Sequence, residues 1–135
     1  MKHEELTEQI IKAFFKVYNT LGYGFLEKVY QNAMLIELVK MGFKADKEKR
    51  VLVHYEGHVV GDYSADLTVE EVVICELKTN EQLYEGDENQ LINYLKATEI
   101  EVGLLLNFGK KPEVRRKVYD NDRKFWQTTK IRPIE

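Results

Sequence analysis

The sequence has few of the residues that build disulfide-rich, zinc-finger or low-complexity proteins. Its 135 residues include one cysteine, two prolines and eight glycines. Because Cys75 has no partner in the chain, no internal disulfide can form, and a reducing, cytoplasmic setting is expected. The three histidines lack cysteine or histidine partners at zinc-finger spacing, which argues against a structural zinc site. What remains is an ordinary globular composition, and the length predicts one domain over residues 1–135.

Long apolar runs are also missing. No run approaches the ~18 residues that a membrane-spanning helix needs. The N-terminal stretch MKHEELTEQI lacks the apolar core of a signal peptide. We therefore expect neither export nor a membrane partner.

The chain has little net charge, but the charge is unevenly distributed. Its net charge of −3 does not indicate a simple polyanion binder. Residues 1–109 carry 11 basic and 19 acidic side chains, whereas residues 110–135 carry nine and four. The C-terminal part mixes aromatic with basic residues, which suits phosphate contact and base stacking, and its densest basic cluster is Arg115, Arg116 and Lys117. The alternative is a solvated terminal helix or strand whose aromatic residues lie in the core.

Hydrophobic periodicity predicts the order of the helices and strands. Apolar residues recur at three- and four-residue steps from Leu6 to Leu21, and a second helical segment ends at Gly42. The predicted elements are helices up to residue 21, at about 26–41 and at about 87–98, and strands at about 50–55, 58–69, 72–78 and 102–108. The order α-α-β-β-β-α-β with a short tail predicts an α/β fold in which helices pack against a mixed sheet.

The third predicted strand, within EEVVICELKTN, carries charge where apolar side chains are expected. Glu76 and Lys78 lie at alternate positions and so share a face of a strand that is otherwise apolar. Burying such groups costs several kcal/mol unless they are compensated. A three-residue loop 70–72 would pair Val69 with Val73 and would place Asp66 opposite Glu76 on the same face. A register with an odd residue sum would separate the two carboxylates unless a bulge intervened.

A divalent cation is one way to compensate the facing carboxylates. It would remove both their repulsion and the desolvation cost, and an oxygen-only ligand set suits Mg²⁺ or Mn²⁺. Lys78 would then lie beside a metal-bound water or an attacked phosphate. The alternative is that Glu76 and Lys78 pair with each other at the rim of the sheet, because Glu-x-Lys alone is a common pattern.

Two helical pairs add candidate site residues. Gln90 and Tyr94 are four residues apart, and Glu27 and Tyr30 are three apart, so each pair shares a helix face. A Gln amide can hold a water or a base, and a third carboxylate can complete a metal shell. The alternative is that both tyrosines face the core and Gln90 is an ordinary surface residue.

Taken together, these motifs resemble the PD-(D/E)XK nuclease superfamily. The shared pattern is Asp66, then Glu76-Leu77-Lys78 on the next strand, then Gln90-x-x-x-Tyr94 on a helix. The stretch GYGFLEKVY resembles the GxxExxY signature of one prokaryotic family in that superfamily. The resemblance spans about residues 10–117. It implies a restriction-endonuclease-like fold, a mixed sheet of about four strands flanked by helices, with a metal site at one sheet edge.

The resemblance also implies roles for individual residues. Asp66 and Glu76 would be metal ligands with Glu27 near the ion, Lys78 would be the catalytic lysine, and Gln90 would position substrate or water. The implied activity is a Mg²⁺- or Mn²⁺-dependent phosphodiesterase in which a metal-bound water attacks nucleic acid, with DNA as the leading substrate. The products would carry 5′-phosphate and 3′-hydroxyl ends.

Nucleic-acid contacts are assigned to Tyr94 and to the basic cluster Arg115, Arg116 and Lys117. Nucleases that cut both strands often pair two sites, so the resemblance also allows a homodimer.

The sequence departs from the resembled pattern at three positions. Ala65 replaces the expected proline before Asp66, and Tyr18 and Asp87 stand where many members carry histidine. Together with the acidic main body, the two absent histidines motivate an alternative function. The chain would then be a catalytically silent nuclease-like domain that binds nucleic acid or a protein partner.

Overall fold

The structure is a computed structural model that describes residues 2–124. Within that range it contains three α-helices, seven strands and one short 3-10 helix. The helices are α1 (Glu4–Leu21), α2 (Glu27–Lys40) and α3 (Glu85–Ala97). The strands are β1 (Ala45–Lys47), β2 (Arg50–Tyr55), β3 (His58–Ser64), β4 (Leu67–Val69), β5 (Val73–Lys78), β6 (Val102–Phe108) and β7 (Pro112–Val118). The 3-10 helix is Asn121–Arg123. No described helix is both long and apolar enough to cross a membrane.

The main sheet is mixed and has five strands in the order β1-β4-β5-β6-β7. Strands β5 and β6 are parallel and α3 connects them, because a parallel pair needs a crossover, while the other neighbours are antiparallel. Helices α1 and α2 pack on one face of the sheet and α3 packs on the other. The predicted α/β class with a mixed sheet and flanking helices is confirmed, with five strands instead of about four.

The first predicted helix is present with the apolar face that its sequence indicated. Ile10, Phe14 and Val17 are buried on α1, and the helix ends at Gly22, whose backbone takes φ 70. This left-handed conformation suits glycine because it has no Cβ, and the Gly22 N–H caps the Tyr18 carbonyl at 2.8 Å.

The predicted strand over residues 58–69 is divided between two sheets. Residues 58–64 pair with β2 in a separate two-stranded sheet, and residues 67–69 belong to the main sheet as β4. The chain bends at Ala65 and Asp66, opposite Glu48, which takes a left-handed φ of 53. The Ala65 N–H donates to the Lys49 carbonyl and the Glu48 N–H donates to the Asp66 carbonyl. The two neighbouring segments of the chain therefore bend together. Period-two alternation continues through such a bend, which is why the sequence pattern did not show it.

Two further strands were not predicted. Residues 112–118, predicted to belong to the tail, form β7. Val114 and Val118 pack against the core beneath α1 and α2, and charged residues lie between them. The three-residue β1 pairs with β4, and three residues are too few to show a period. Both are edge strands of the sheet, where charged side chains are common.

Candidate active site

The site begins with the register of β4 and β5. Glu70 and Glu71 both take left-handed φ values, 53 and 59, in the turn between the strands. Val69 pairs with Val73 and Leu67 pairs with Cys75. The predicted loop 70–72 and its even-sum register are therefore confirmed. Continued by one residue, this register places Asp66 opposite Glu76.

Asp66 caps the place where the β4–β5 ladder stops. Its carboxylate Oδ2 accepts the Leu77 N–H at 2.7 Å, and its own carbonyl accepts the Gln31 side-chain amide at 2.9 Å. The first bond replaces the backbone acceptor that a longer β4 would supply. The second joins Asp66 to α2. Asp66 is thus held by two elements at the carboxyl end of β5.

Glu76 is a buried carboxyl group next to another carboxyl group. It is only 8% exposed and lies on the α3 side of β5. Burial raises the pKa of Glu76 to about 9, and the charge of Asp66 and a side-chain hydrogen bond to Asp66 contribute to this rise. Lys78 opposes the shift through its positive charge. Without a bound cation, Glu76 therefore holds a proton at neutral pH.

Glu27, the first residue of α2, interacts electrostatically with Asp66 and Lys78. Partial burial raises the pKa of Glu27, Asp66 raises it further, and Lys78 lowers it. A cleft of about 210 Å³ is lined by Glu27, Asp66 and four neighbours, namely Lys28, Gln31, Glu48 and Leu77. The structure thus brings Glu27 near Asp66 and Lys78.

Lys78 is directed by polar groups of α3. Its Nζ donates to Gln90 Oε1 at 3.1 Å and lies 4.0 Å from Asp87 Oδ1. Asp87 is itself fixed, because its Oδ2 accepts the Tyr84 N–H at 3.0 Å in a capping box at the start of α3. The lysine is therefore positioned by two side chains that lie three residues apart on one helix face.

A buried polar network holds the loop between β5 and α3. Asn107 is fully buried, and its side chain accepts the Asn80 N–H at 3.0 Å and donates to the Asn80 carbonyl at 2.9 Å. Asn107 also donates to Glu113 at 3.3 Å, and Glu113 accepts the Leu83 N–H at 3.0 Å. A Cβ added at Gly109 would lie 2.2 Å from the Asn80 carbonyl oxygen, so only glycine fits there. The loop that follows Lys78 is thus clamped by β6 and β7.

Comparison with known families explains this arrangement. A family model described as the PD-(D/E)XK nuclease superfamily matches residues 4–117. The chain belongs to the PD-(D/E)XK nuclease superfamily. A search of curated proteins and a search of solved structures each found no match.

Nucleases of this superfamily generally use Mg²⁺ or Mn²⁺, and carboxylate oxygens are the ligand type that these ions prefer. Asp66 and Glu76 provide two adjacent carboxylates, and a bound cation would stabilise the ionised form of Glu76 that burial disfavours. Among residues 2–124, no group of three or more His, Cys, Asp or Glu side chains is arranged to hold a metal. Two carboxylates are sufficient for Mg²⁺, which keeps several of its waters.

The basic cluster predicted to contact nucleic acid is divided between the two faces of β7 in this nuclease fold. Arg115 and Lys117 pair with Leu105 and Gly103 on the α3 side, and Arg116 lies on the α1 side. Each makes a contact within the chain: Arg115 with Glu113 at 3.6 Å, Lys117 with Glu88, and Arg116 with the Lys2 carbonyl. They therefore do not form one free basic surface. Of the aromatic residues in the C-terminal part, Tyr119 packs against the core on the α3 side with Arg123 over its ring, while Phe125 and Trp126 lie outside the described residues.

Tyr94 is placed in the core, which contradicts its assignment to nucleic-acid contact. It is 3% exposed, its hydroxyl donates to the Lys49 carbonyl at 3.1 Å, and its ring packs edge-on against Tyr63. Position 94 lies on the inner side of α3 because the helix presents Leu91 and Leu95 to the sheet. The interpretation of Tyr94 and Tyr30 as core residues is the correct one.

Sequence reasoning missed three residues that position the site. Gln31, one helical turn after Glu27, bonds Asp66; Asp87, one turn before Gln90, lies near Lys78; and Asn107 holds the loop after β5. The first two could have been found from their spacing, because residues three or four apart share a helix face. Nothing in the sequence distinguishes Asn107 from an ordinary polar residue at a strand end.

Proposed function

We propose that this chain is a metal-dependent nuclease of the GxxExxY family that hydrolyses phosphodiester bonds in DNA. One observation carries the proposal: the β4–β5 register sets Asp66 opposite Glu76, with Lys78 next on the same face. In a PD-(D/E)XK chain, these are the three residue types for which the superfamily is named.

Each residue of the GxxExxY motif, namely Gly24, Glu27 and Tyr30, has a structural role that can be described in this fold. Gly24 takes a positive φ of 105, Glu27 begins α2 beside Asp66, and the Tyr30 hydroxyl donates to the Gly22 carbonyl at 2.7 Å. The Tyr30 ring also stacks on Phe108 with centroids 4.2 Å apart. The motif therefore places a carboxylate at the site by anchoring the preceding loop to β6. This supports the family assignment.

Asp66 and Glu76 would hold the divalent ion, and Glu27, which shares a cleft with Asp66, would act on the water around it. When bound, the ion supplies Lewis-acid stabilisation of phosphate charge and lowers the pKa of water. The remaining chemistry belongs to the chain. Lys78 directs its ammonium group at the negative charge that develops on the phosphate as water attacks phosphorus, and the bond to the 3′ oxygen breaks.

Gln90 positions both the lysine and the substrate. Its Oε1 accepts from Lys78 Nζ at 3.1 Å, and its NH₂ group stays available to donate to a phosphate oxygen or a water. Because Gln90 is exposed on α3, a nucleic-acid strand can reach it from solvent.

The test combines a metal titration with a cleavage assay. Calorimetry with Mg²⁺ and Mn²⁺ should show binding to the wild type that Glu76→Gln abolishes, while Glu8→Gln, an exposed position on α1, binds as the wild type does. Lys78→Ala should abolish cleavage and leave metal binding largely unchanged, because Lys78 is assigned to the transition state and not to the ion.

Substrates for the assay are single-stranded, duplex and branched DNA, and RNA. Cleavage of DNA that requires Glu76 and Lys78 is the expected result. If the wild type binds one of these tightly but cuts none, the catalytically silent domain is the correct interpretation. Equal, weak metal binding by wild type and Glu76→Gln would contradict the assigned metal ligands.

A further inference from the structure

An exposed aromatic loop borders the candidate site, and its exposed side chains have no role in the function proposed above. This aromatic loop, residues 22–26, joins α1 to α2 and ends immediately before Glu27. Tyr23 is 56% exposed, Phe25 is 47% exposed and Leu26 is 79% exposed. Exposing three large apolar side chains in sequence is unfavourable in water, so such a patch indicates a binding surface.

The aromatic loop is held in one conformation from beneath. The Tyr30 hydroxyl donates to the Gly22 carbonyl at 2.7 Å and accepts the Phe25 N–H at 3.2 Å, so one side chain bonds both ends of the loop. The Phe25 ring packs edge-on against Tyr30 with centroids 6.2 Å apart. Rigid aromatic side chains lose little entropy on binding, which favours their use in recognition.

A basic turn lies at the same end of the molecule. This basic turn, residues 109–111, connects β6 to β7 beyond the strand end that adjoins Lys78. The Tyr18 hydroxyl binds it to α1 through the Gly109 and Lys110 carbonyls, at 2.7 and 2.8 Å. Lys110 and Lys111 are exposed, and neither has an ion-pair partner among the described residues.

The aromatic loop and the basic turn meet through the core beneath them. Tyr30 anchors the loop and stacks on Phe108, the residue immediately before the turn. Phe25 lies two residues from Glu27, at most ~7 Å along the chain. Nucleotides next to a phosphate bound at the cleft can therefore reach this surface.

We propose that the aromatic loop and the basic turn together bind a single strand with unpaired bases. Tyr23 and Phe25 stack on the bases, and Lys110 and Lys111 contact the phosphates. The proposal names the substrate class of the site and rests on the proposed nuclease function only for the position of the scissile phosphate.

Two observations favour an unpaired strand over a duplex. In a duplex, each base face is covered by its neighbours, so a protruding ring must first unstack a base step, which costs about a few kcal/mol, whereas an unpaired base offers its face directly. Duplex DNA also carries about one charge per 1.7 Å, and the chain has a net charge of −3 with Arg115 and Lys117 paired to acidic residues. Stacking supplies binding energy that does not depend on a large basic surface.

The test measures binding without cleavage, using the wild-type chain in a metal chelator. Three labelled probes are compared by fluorescence anisotropy: a short single strand, the same strand with abasic sites in place of its bases, and the matching duplex. The wild type should bind the intact strand more tightly than both others. Tyr23→Ala and Phe25→Ala should each weaken intact-strand binding roughly 5- to 100-fold, the range for removing one stacked base, and should leave abasic-strand binding unchanged.

Matched variants separate stacking from general exposure and charge. Tyr55→Ala removes a tyrosine that is 62% exposed on the β2–β3 sheet, and it should bind all three probes as the wild type does. Tyr23→Phe keeps the ring and should retain binding. Lys110→Gln should weaken the intact and the abasic strand equally, whereas Lys12→Gln, exposed on α1, should change neither.

Equal binding of intact and abasic strands by the wild type overturns the proposal, as does the absence of binding to any probe. The latter result would assign the loop to a protein partner. Failure of the nuclease function is a different outcome, because a chain that binds the intact strand through Tyr23 but cuts nothing with Mg²⁺ keeps this surface. A chain that cuts DNA equally well with Tyr23→Ala and Phe25→Ala keeps the nuclease function and loses the proposal.

Discussion

At the scale of single residues, the site combines groups that are costly to the fold. Glu76 is a carboxyl group between two buried residues of β5, and burial raises the pKa of Glu76 to about 9. Its proton and the hydrogen bond to Asp66 reduce the cost of burying the neutral group, whereas the charge of Asp66 opposes its ionisation and Lys78 favours it. A group that is unfavourable for stability and surrounded by charged partners at a sheet edge is a strong functional candidate.

The pKa of Glu76 predicts how stability changes with pH in the metal-free protein. The folded state keeps a proton that the unfolded state releases above pH 4.5, so the free energy of unfolding should fall as pH rises from about 4.5 to about 9. Glu76→Gln cannot ionise, and it should therefore be more stable than the wild type by roughly 3 kcal/mol at pH 7 and equal to it near pH 4. Urea unfolding in a chelator, at a series of pH values, measures this.

Glu101→Gln is the matched control because its shift has the opposite sign. The Asn121 N–H and Lys2 lower the pKa of Glu101, so its ionised form stabilises the fold above its ordinary pKa. Neutralising it should lower stability at neutral pH and have no effect once both states are protonated. Parallel pH curves for wild type and Glu76→Gln would contradict the assignment of a buried, protonated Glu76.

Gln90 should act through Lys78 and not through the metal. Gln90→Ala removes the acceptor 3.1 Å from Lys78 Nζ, and we expect kcat to fall about tenfold, a loss of about 1.4 kcal/mol of transition-state stabilisation. Metal affinity should not change, and Gln90→Glu should restore part of kcat because it keeps the acceptor. Steady-state kinetics measures the effect, with exposed Asn89→Ala as the control. Loss of metal affinity in Gln90→Ala would contradict this role.

At the scale of elements, the site depends on how two strand ends and one loop are fixed. Strand β5 ends at Lys78, and beyond it the Asn80 N–H bonds the side chain of Asn107 on β6 rather than a strand backbone. Asp66 similarly replaces a backbone acceptor at the end of β4. Side chains therefore replace backbone partners where the strand pairing stops. The buried hydrogen bonds of Asn107 hold the loop after Lys78 and so help to fix the position of Lys78.

Two glycines test how closely the β5–α3 loop is held. Gly109→Ala would bring a Cβ to 2.2 Å from the Asn80 carbonyl, so the backbone must shift, and we expect a loss of roughly 1–3 kcal/mol of stability. Gly86→Ala, in α3 with nothing within 4 Å, should instead stabilise by up to about 1 kcal/mol. Chemical unfolding of both variants measures the contrast. A Gly109→Ala protein as stable as the wild type would show that the loop is free to move.

At the scale of the whole molecule, charge governs which substrate can approach. The predicted basic cluster of β7 is already paired within the chain: Arg115 with Glu113, Lys117 with Glu88, and Arg116 with the Lys2 carbonyl. The two exposed lysines of the basic turn lie at the site end instead. A small number of free phosphate contacts on an acidic body should make binding only weakly dependent on salt.

The salt dependence of binding distinguishes the two basic groups. The Lys110→Gln/Lys111→Gln double variant should reduce the log–log salt slope by about one unit for each lost phosphate contact. Joint neutralisation of Arg115, Arg116 and Lys117 should change the slope less, because their contacts within the chain compete with phosphate. Anisotropy titrations over a salt series measure both slopes. A larger change in the triple variant would restore β7 as the phosphate-binding surface.

The sequence by itself determined the class of the fold and reduced the central carboxylate pair to a choice between two registers. A buried strand shows as an apolar run, and a three-residue loop would pair Asp66 with Glu76, but the structure decided between this register and the odd-sum one. Only the tertiary structure decided the rest. The bend at Ala65, the pairing of β7, the burial of Tyr94 and the clamp from Asn107 to Asn80 depend on contacts between distant segments. Residue periodicity reports which face of an element is buried, but it carries no information on which element covers that face.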